Sequence, residues 1–585
     1  MSVVLPLLLA LSGCRKAPTE VPAPEPAPAV DTDLQPERAT GCRVDVPEVW
    51  STGGLVVAAH PEASAIGAEV LREGGNAMDA AVAVAVALTL VEPQSSGIGG
   101  GAFLLHYDGA SGEMTAWDGR ETAPAAADEA YWMRDGERVS WPDAVPGGRS
   151  VGVPGLVRML ADAHDAHGKA EWSALWEPTA VLAEGGFEVT PRMSRSIEQI
   201  GATPMNVLAR DEGAAAYFLP GGEALPVGHT LTNPELAATV RRIGAEGPSA
   251  FYEGPLAEAI VARVREATDN PGVLTLADMA GYRAARREPV CTAFAGRTVC
   301  GHPPPTSGGV TTLQILGLLE ADGAETTPHR FVEAARLAWA DRALYLADPE
   351  AVPVPTEALL ATTYLSTRAE GIGERRGAAP TAGERSLPAA PTASLCPEGK
   401  DTTHVVVVDR EGSVVSMTSS IENAFGSGLF IEGFLLNNQL TDFDFVPEVD
   451  GRAVANRPGA CKRPRSSMSP LIVVGDDGVE LAVGSPGGSR IIQYTARVAV
   501  DVLEHGLGVH EAIGRPNVVS RGDVVEVETG CGSPAPTGTL EVLEAAGHSV
   551  KRTELNSGLH GIQRTAEGWI AGIDPRREGA AVAVE

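Results

Sequence analysis

Two adjacent threonines, Thr402 and Thr403, follow a long stretch of small and polar residues and precede a run of four valines. Residues 373–400 are mostly Gly, Ala, Pro, Ser and Thr without a hydrophobic period, which is typical of a mobile loop. The β-branched run from His404 to Asp409 predicts a strand. A hydroxyl at the start of a strand, directly after such a loop, is a candidate nucleophile, although strand propensity alone is the commoner explanation of two threonines there.

Two further patterns could serve a cofactor or a metal. Gly97–Ala102 fits the G-x-G-x-x-A pattern of dinucleotide-binding turns, but a predicted helix precedes it where such a turn requires a strand. His404 has no metal-ligand spacing around it, so we interpret it as structural. The sequence also lacks the H-E-x-x-H motif of zinc hydrolases. We therefore expect no cofactor and no metal site.

The elements that must position these residues fall into two regions. Helical patterns dominate before residue 372, at 62–73, 77–92, 154–167, 233–243, 256–267 and 329–347, with a strand pair at 102–106 and 114–117. From 402 onward, β-branched runs around glycine-containing turns predict hairpins at 404–409 with 413–418 and at 471–474 with 479–483. Strands at 568–574 and 580–585 are expected to close the same sheet. The local patterns thus predict mixed helix and antiparallel sheet.

Eight motifs occur in a fixed order along the chain. They are Gly74–Val82, Ser95–Phe103, Asp118–Pro124, Pro303–Gly309, Asp401–His404, Leu435–Gln439, Arg463–Pro470 and Gly484–Arg490. In these motifs the sequence resembles the gamma-glutamyltransferase (glutathione hydrolase) family of N-terminal-nucleophile hydrolases. The resemblance extends over residues 50–577, nearly the whole globular chain. A match to any one of these motifs is weak evidence for the family, whereas eight matches in the family's order are specific evidence.

The resemblance implies an α+β fold, a four-layer αββα sandwich built from two fragments of one precursor. Self-cleavage between Asp401 and Thr402 would give a large subunit, 42–401, ending in a mobile loop at about 373–401. The small catalytic subunit, 402–585, would remain non-covalently associated with it. Cleavage exposes an α-amine on Thr402 whose reference pKa of ~7.7–8.0 lets it accept the hydroxyl proton at neutral pH. Ser420 matches the family hydroxyl that supports this nucleophile.

The resemblance also implies the reaction and the residues that stabilise it. Thr402 would attack γ-glutamyl amides such as glutathione, and water or an amine acceptor would release the acyl group. Gly487 and Gly488 match the glycines whose backbone N–H groups bind the oxyanion, an interaction commonly worth ~2.7–4 kcal/mol per donor. Arg120, with its guanidinium fork, matches the arginine that binds the α-carboxylate of the donor.

The remaining substrate residues come from the second half of the chain. Ser466 and Ser467 would donate to the same carboxylate, while Glu422, Gln439 and Asp442 would bind the α-ammonium. Many members have asparagine where this chain has Glu422, so the preferred donor could differ from a standard α-amino acid. The loop between residues 443 and 466 is short for members with a lid, and we expect an open acceptor side that tolerates larger substrates.

Two alternatives to this function remain open. A cephalosporin or glutaryl acylase of the same fold would favour a dicarboxylic acyl group without an ammonium. An unprocessed lipoprotein that binds peptides without catalysis is the alternative from another class. The ammonium-binding set argues against the first, and self-cleavage would argue against the second.

The N-terminus predicts export. The apolar run Val3–Leu11 is too short to span a bilayer, and Leu11-Ser12-Gly13-Cys14 resembles a bacterial lipoprotein signal. Residues 1–13 would be the signal peptide, Cys14 the lipid anchor to a membrane, and 14–41 a tether that contains six prolines between Ala17 and Arg38. We expect a periplasmic or cell-envelope protein. The net charge of −31 argues against nucleic acid as a partner.

The seven cysteines fit this location. If Cys14 carries lipid, an even set remains that suits a disulfide framework in an exported protein: Cys42, Cys291, Cys300, Cys396, Cys461 and Cys531. Cys291 and Cys300 flank a predicted hairpin and are the expected pair. The other pairings stay open.

Overall fold

The computed structural model describes residues 42–43, 45–383, 401–531 and 538–585. The predicted signal peptide, Cys14, the tether, Cys396 and most of the predicted 373–401 loop lie outside these residues. Within the described ranges, no helix combines the length and apolar character needed to cross a membrane. The described start of the predicted loop lies against a helix, because the Gly377 N–H donates to Glu333 and the Gly383 N–H donates to Asp341.

Within the described ranges, two seven-stranded sheets form the centre of the molecule, and every neighbouring pair of strands in them is antiparallel. Their strands are β1 (Trp50–Ser51), β2 (Gly54–Ala58), β3 (Gly101–Tyr107), β4 (Met114–Asp118), β5 (Ala285–Arg287), β6 (Val290–Phe294), β7 (Arg297–Gly301), β8 (Asp401–Val408), β9 (Val414–Glu422), β10 (Leu471–Gly475), β11 (Gly478–Gly484), β12 (His560–Thr565), β13 (Gly568–Ile573) and β14 (Ala580–Val584). The first sheet has the order β1-β13-β12-β11-β10-β7-β6, and the second has the order β14-β2-β8-β9-β3-β4-β5.

The other regular elements of the described chain are α-helices, short 3-10 helices and short strands. The α-helices are Pro61–Arg72, Ala77–Val91, Trp141–Ala144, Leu156–His167, Glu177–Gly185, Pro191–Gly201, Glu212–Phe218, Pro234–Glu246, Ser249–Tyr252, Gly254–Arg265, Leu276–Gly281, Gly308–Asp322, Pro328–Tyr345, Thr356–Leu360, Thr362–Ala369, Ile491–Leu503, Val509–Gly514 and Thr539–Ala546. The short strands are Met133–Arg134, Glu137–Arg138, Phe187–Glu188, Thr230–Leu231, Phe430–Ile431, Phe434–Leu435, Glu448–Val449, Arg452–Ala453, Val518–Ser520, Val524–Glu528 and Ser549–Thr553.

Alternate side chains of the central strand β8 face two different hydrophobic cores, because successive side chains of a strand point to opposite faces. Val405 and Val407 pack in the core that includes helices Pro61–Arg72 and Ala77–Val91. Val406 and Val408 pack between the two sheets. On the far side of the first sheet, residues of β10 and β11 share a core with residues of Gly308–Asp322 and Ile491–Leu503. The layers are helix, sheet, sheet and helix, which confirms the predicted αββα sandwich.

Both sheets interleave strands from before and after residue 401. In the second sheet, the β8–β9 hairpin lies between β2 and β3. In the first sheet, β7 pairs with β10. Neither part of the chain can therefore complete a sheet alone.

The predicted helices and hairpins are confirmed, with helix ends shifted by three residues or fewer. The prediction that the last two strands close one sheet is wrong. β13 lies in the first sheet, whereas β14 forms the edge of the second because it pairs with β2.

Two disulfides are present among the described residues. Cys291 pairs with Cys300 across β6 and β7, as predicted. Cys42 pairs with Cys531, 489 residues away, and so joins the parts of the chain on either side of residue 401. This bond corrects the expectation of purely non-covalent association. Cys461 is exposed and has no disulfide partner among the described residues.

Candidate active site

Two antiparallel hairpins bring the predicted site residues to one end of the sandwich. β8 begins and β9 ends at that end of the second sheet, and β10 begins and β11 ends at the matching end of the first sheet. Motifs that flank these strands therefore converge, although they are far apart in the sequence. Thr402 and Ser420 come from the second sheet, while Ser467 and Gly488 flank strands of the first.

The cavity at this end has a volume of about 270 Å³, which includes solvent space at its open mouth. All the predicted catalytic and substrate-binding residues except Gly487 line this cavity: Arg120, Thr402, Ser420, Glu422, Gln439, Asp442, Ser466, Ser467 and Gly488. Met468 and Ile491, which were not predicted, also line it. The cavity is open to solvent, so part of a larger ligand can lie outside it.

The peptide bond between Asp401 and Thr402 lies at an irregular point of the sheet. The pairing of β8 with β9 shifts register between Asp401 and Thr403, as at a β-bulge. Ser420 Oγ donates to the Asp401 carbonyl oxygen at 2.8 Å and accepts from the Glu422 N–H at 2.8 Å. The serine proton is thus directed at the carbonyl of this bond. Hydrogen bonding to a carbonyl oxygen makes its carbon more electrophilic.

A buried arginine that the sequence did not reveal holds the Asp401 side chain. Arg192 Nη2 lies 3.3 Å from Asp401 Oδ1, and Arg192 Nη1 lies 2.5 Å from Glu92 Oε1 and 2.9 Å from Ser95 Oγ. Arg192 is only 1% exposed. Its charge is therefore compensated by two carboxylates that are also buried. Arg192 is 209 residues from Asp401, so no local pattern could indicate the contact.

Arg120 and Asp442 form a buried ion pair in the cavity wall. The Arg120 Nη2 atom lies 2.5 Å from Asp442 Oδ2, and the same guanidinium donates to the carbonyls of Pro464 and Arg465. Gln439 Nε2 donates to Asp442 Oδ2 at 2.8 Å, and Gln439 Oε1 accepts no hydrogen bond from the described residues. Positive and acceptor groups therefore lie side by side, as a zwitterionic ligand requires.

Glu121 lies next to this pair without a hydrogen bond from the described residues to either carboxyl oxygen. Its Oε2 is 3.8 Å from Arg120 Nη1. Burial raises the pKa of Glu121 to about 8, and the nearby Arg120 charge only partly offsets that rise. Glu121 is thus mostly protonated at neutral pH and does not add a second carboxylate charge beside Arg120, which is already paired with Asp442.

Ser466 is held by Ser307, the residue before the helix Gly308–Asp322, and Ser467 is held by a second buried arginine, Arg342. The N–H and Oγ of Ser307 both donate to the Ser466 carbonyl, at 2.7 and 2.6 Å. Arg342 Nη2 donates to Ser467 Oγ at 2.7 Å, and its Nε donates to Ser307 Oγ at 2.8 Å. Arg342 lies in the last turn of the helix Pro328–Tyr345 and was not predicted as a site residue, because Ser467 is 125 residues away in the sequence.

Gly487 and Gly488 connect β11 to the helix Ile491–Leu503. Their φ angles are +128° and +60°, which L side chains rarely adopt, and a Cβ on Gly487 would lie 2.8 Å from the Tyr494 ring. Glycine is therefore required at Gly487 by both backbone and space. The turn brings backbone N–H groups to the start of a helix, where the helix dipole favours negative charge.

Two other predicted residues have clear surroundings. Glu422 is 3% exposed, adopts a φ of +83° and contacts Asn438 Nδ2. Glu422 lines the same cavity as Asp442. His404 is fully buried, 2.8 Å from Thr418 Oγ1, and burial lowers its pKa well below the usual range. These contacts agree with the structural role expected of His404.

This chain is similar to known proteins over almost its whole length. The family model for gamma-glutamyltranspeptidase matches residues 63–584. A glutathione hydrolase proenzyme from Escherichia coli is 36% identical over 97% of this chain and 96% of its own length. An acylase ACY 1 proenzyme from a Pseudomonas species is 36% identical over 96% of this chain and 97% of its own.

Solved structures show the same architecture. The crystal structure of a cephalosporin acylase from Bacillus halodurans has a TM-score of 0.81 and 27% identity, covering 92% of this chain and 97% of that one. The family model and the relatives of more than 30% identity cover far more than half of the sequence. The chain therefore belongs to the gamma-glutamyltranspeptidase family.

Proposed function

We propose that this protein is a self-processing threonine hydrolase that transfers γ-glutamyl groups from amides such as glutathione to water or to amine acceptors. The hydrogen bond from Ser420 Oγ to the Asp401 carbonyl is the observation that carries the proposal. It activates the bond before a threonine whose side chain borders a cavity with a buried Arg–Asp pair. The glutathione hydrolase relatives support the same substrate class.

Maturation begins at the Asp401–Thr402 bond. Thr402 Oγ attacks the Asp401 carbonyl carbon, the C–N bond breaks, and the hydroxyl proton passes to the leaving nitrogen. Water then hydrolyses the resulting ester, leaving a carboxylate on Asp401 and a free α-amine on Thr402. The products are the large subunit, 42–401, and the small subunit, 402–585.

Turnover uses the new α-amine as the base for Thr402 Oγ. The hydroxyl attacks the γ-carbonyl of the donor, and the backbone N–H groups of Gly487 and Gly488 stabilise the oxyanion. Collapse of this intermediate expels the donor's amine with a proton and leaves a γ-glutamyl ester on Thr402. Water or a second amine then attacks the ester and restores the hydroxyl.

Recognition depends on the two charges of the glutamyl group. Arg120, Ser466 and Ser467 bind the α-carboxylate, and Glu422, Gln439 and Asp442 bind the α-ammonium. The cavity lined by these residues holds that group, and the leaving amine extends outward through its open mouth. The short 443–466 connection is consistent with an open acceptor side.

One experiment tests processing and chemistry together. Protein beginning near residue 42 is analysed on a reducing gel, and the N-terminus of the smaller band is sequenced. We expect two bands, the smaller beginning Thr402-Thr403-His404, and a single band for Thr402→Ala. A single uncleaved wild-type band without hydrolysis of a γ-glutamyl anilide would instead support the non-catalytic peptide-binding alternative.

A second candidate function is that of an acylase, because the acylase relatives named above are as similar as the glutathione hydrolases. A glutaryl donor lacks the ammonium that Glu422, Gln439 and Asp442 are proposed to bind. We expect kcat/KM for a γ-glutamyl anilide to exceed that for the glutaryl anilide by tenfold or more. The reverse preference would establish the acylase function.

The location of the enzyme also belongs to this proposal. Residues 1–13 serve as a signal peptide, Cys14 carries lipid, and residues 14–41 tether the enzyme to a bacterial membrane from the exported side. The two disulfides support an oxidising compartment, because such bonds are rare in the reducing cytosol. Full-length protein should partition into detergent, and Cys14→Ala should remain in the aqueous phase.

A further inference from the structure

Two histidines and a glutamate form a buried group outside the active-site cavity. His329 and Glu333 lie one turn apart on the helix Pro328–Tyr345, and His548 lies between the helix Thr539–Ala546 and the strand Ser549–Thr553. His329 Nδ1 is 2.8 Å from His548 Nε2, which is 3.8 Å from Glu333 Oε1. One nitrogen or oxygen atom of each residue lies within 4.8 Å of the others.

The carbonyl of Gly373 determines where the protons of the two rings lie. His329 Nε2 is 2.9 Å from this oxygen, which can only accept, so Nε2 carries the proton. His329 Nδ1 therefore presents a lone pair to His548 Nε2. Without a cation, a proton on His548 Nε2 must bridge the two nitrogens. A cation between them takes the place of that proton, which can move to His548 Nδ1. His548 Nδ1 has no hydrogen bond to the described residues.

We propose that His329, Glu333 and His548 bind one Zn²⁺ ion, with water as the fourth ligand. Zinc bonds of ~2.0–2.2 Å in a tetrahedral site separate neighbouring ligand atoms by about 3.3 Å. The observed separations of 2.8 and 3.8 Å lie on either side of that value. Because all three ligand atoms lie within 4.8 Å of one another, no separation has to change by more than about 1.5 Å to form the site.

The surroundings hold the proposed ligands in orientations that suit a metal. A histidine ligand usually donates its other ring N–H to a carbonyl or carboxylate, as His329 does to Gly373. The Gly377 N–H donates to Glu333 Oε2 at 2.9 Å, and Arg336 Nη1 donates to Glu333 Oε1. Two imidazoles with one carboxylate favour Zn²⁺ over Mg²⁺ and Ca²⁺, which prefer oxygen ligands.

The site joins both sides of the proposed cleavage point, and this role rests on the proposed function. His329 and Glu333 precede residue 401, and His548 follows it. Gly373 and Gly377, which orient the ligands, belong to the segment that leads towards Asp401. Zinc therefore stabilises the assembled fragments by mass action, because neither fragment alone contains all three ligands.

The test uses chelator-treated protein comprising residues 42–585, titrated with Zn²⁺ by calorimetry and with Co²⁺ by visible absorption. We expect one Zn²⁺ per pair of fragments, the absorption of tetrahedral Co²⁺, and a rise in Tm of about 2 °C at a hundredfold excess over Kd. His548→Gln and Glu333→Gln should each weaken Zn²⁺ binding at least tenfold. His505→Gln, in the same fragment but bonded to Asp501, is the matched control and should bind as the wild type does.

Two results would overturn the zinc site: stoichiometry well below one in the wild type, or unchanged affinity in both ligand variants. Using two ligand variants and checking the extent of self-cleavage of each separates loss of zinc from failure to fold. Chelated wild-type protein should still cleave itself and turn over donor. A chain that binds one Zn²⁺ but never cleaves would contradict the proposed function while supporting the site.

Discussion

Ser420 is the residue whose hydrogen bond bears most directly on maturation. Its hydroxyl donates to the Asp401 carbonyl, the position of developing negative charge. Because one such donor is worth ~2.7–4 kcal/mol, Ser420→Ala should slow self-cleavage by about 10²- to 10³-fold. The appearance of the 402–585 fragment on a reducing gel measures the rate. Ser419→Ala is the control, since its Oγ donates to Gly101 instead; equal rates in the two variants would refute this role.

Arg192 should act as a positioning residue for the same step. Its guanidinium bonds both Asp401 and Glu92. Because a lysine has no planar two-pronged guanidinium, Asp401 should be held less firmly in the Arg192→Lys variant. We expect Arg192→Lys to slow self-cleavage by about 10- to 150-fold, because one charge-assisted hydrogen bond of ~1.5–3 kcal/mol is lost. Asp401→Asn should slow it comparably, and the double variant should be little slower than either. Fully additive effects in this cycle would show that the contact does not assist cleavage.

Glu121 predicts a pH dependence of stability. Its folded pKa of about 8 lies above the usual 4.5, so the folded state binds more protons between these values and stability falls as pH rises through that window. Glu121→Gln removes this pH-dependent decrease in the free energy of unfolding, which amounts to at most about 1.4 kcal/mol per pH unit. Thermal unfolding at pH 5 and pH 8 should show that the variant's advantage in Tm grows with pH. A constant difference would contradict the raised pKa.

Among the structural elements, the turn from β11 into the helix Ile491–Leu503 should be needed for turnover of the donor but not for self-cleavage. Gly487 adopts a φ of +128° and lies against Tyr494, so a Cβ there displaces the proposed oxyanion donors. Gly487→Ala should lower kcat for a γ-glutamyl anilide by about 10²-fold and still give two fragments, because Ser420 serves the maturation step. Gly514→Ala, where a Cβ has open space, should keep wild-type kcat. A Gly487 variant with unchanged kcat would exclude the turn from catalysis.

The elements that sequence could predict are those defined by local patterns. The β8–β9 hairpin follows from β-branched runs around Arg410-Glu411-Gly412, and the motif order indicated the residues that line the cavity. Arg192 and Arg342 escaped prediction because their partners lie 209 and 125 residues away. Nothing in the spacing of charges marks such contacts. They exist only after hairpins from both halves meet at one end of the sandwich.

For the whole molecule, the assignment of strands to sheets was the part that sequence could not supply. β13 and β14 are separated by only six residues, yet they belong to different sheets. Partner choice depends on which edge remains available after the interleaved strands have paired, and β14 completes the edge next to β2. The fold class could be inferred from family resemblance, but the register between fragments could not.

The Cys42–Cys531 disulfide makes a prediction for the mature enzyme as a whole. Because it joins residues on either side of the proposed cut, cleaved protein should run as one band without reductant and as two with it. A link between fragments also keeps each at high effective concentration near the other. Cys531→Ser, combined with Cys396→Ser so that no bond from Cys396 can replace it, should give two bands without reductant and a lower Tm on dilution. Cys461→Ser, which alters an exposed cysteine without a disulfide in the described structure, should behave as the wild type does. Separate fragments from unreduced wild-type protein would rule out the bond in the mature enzyme.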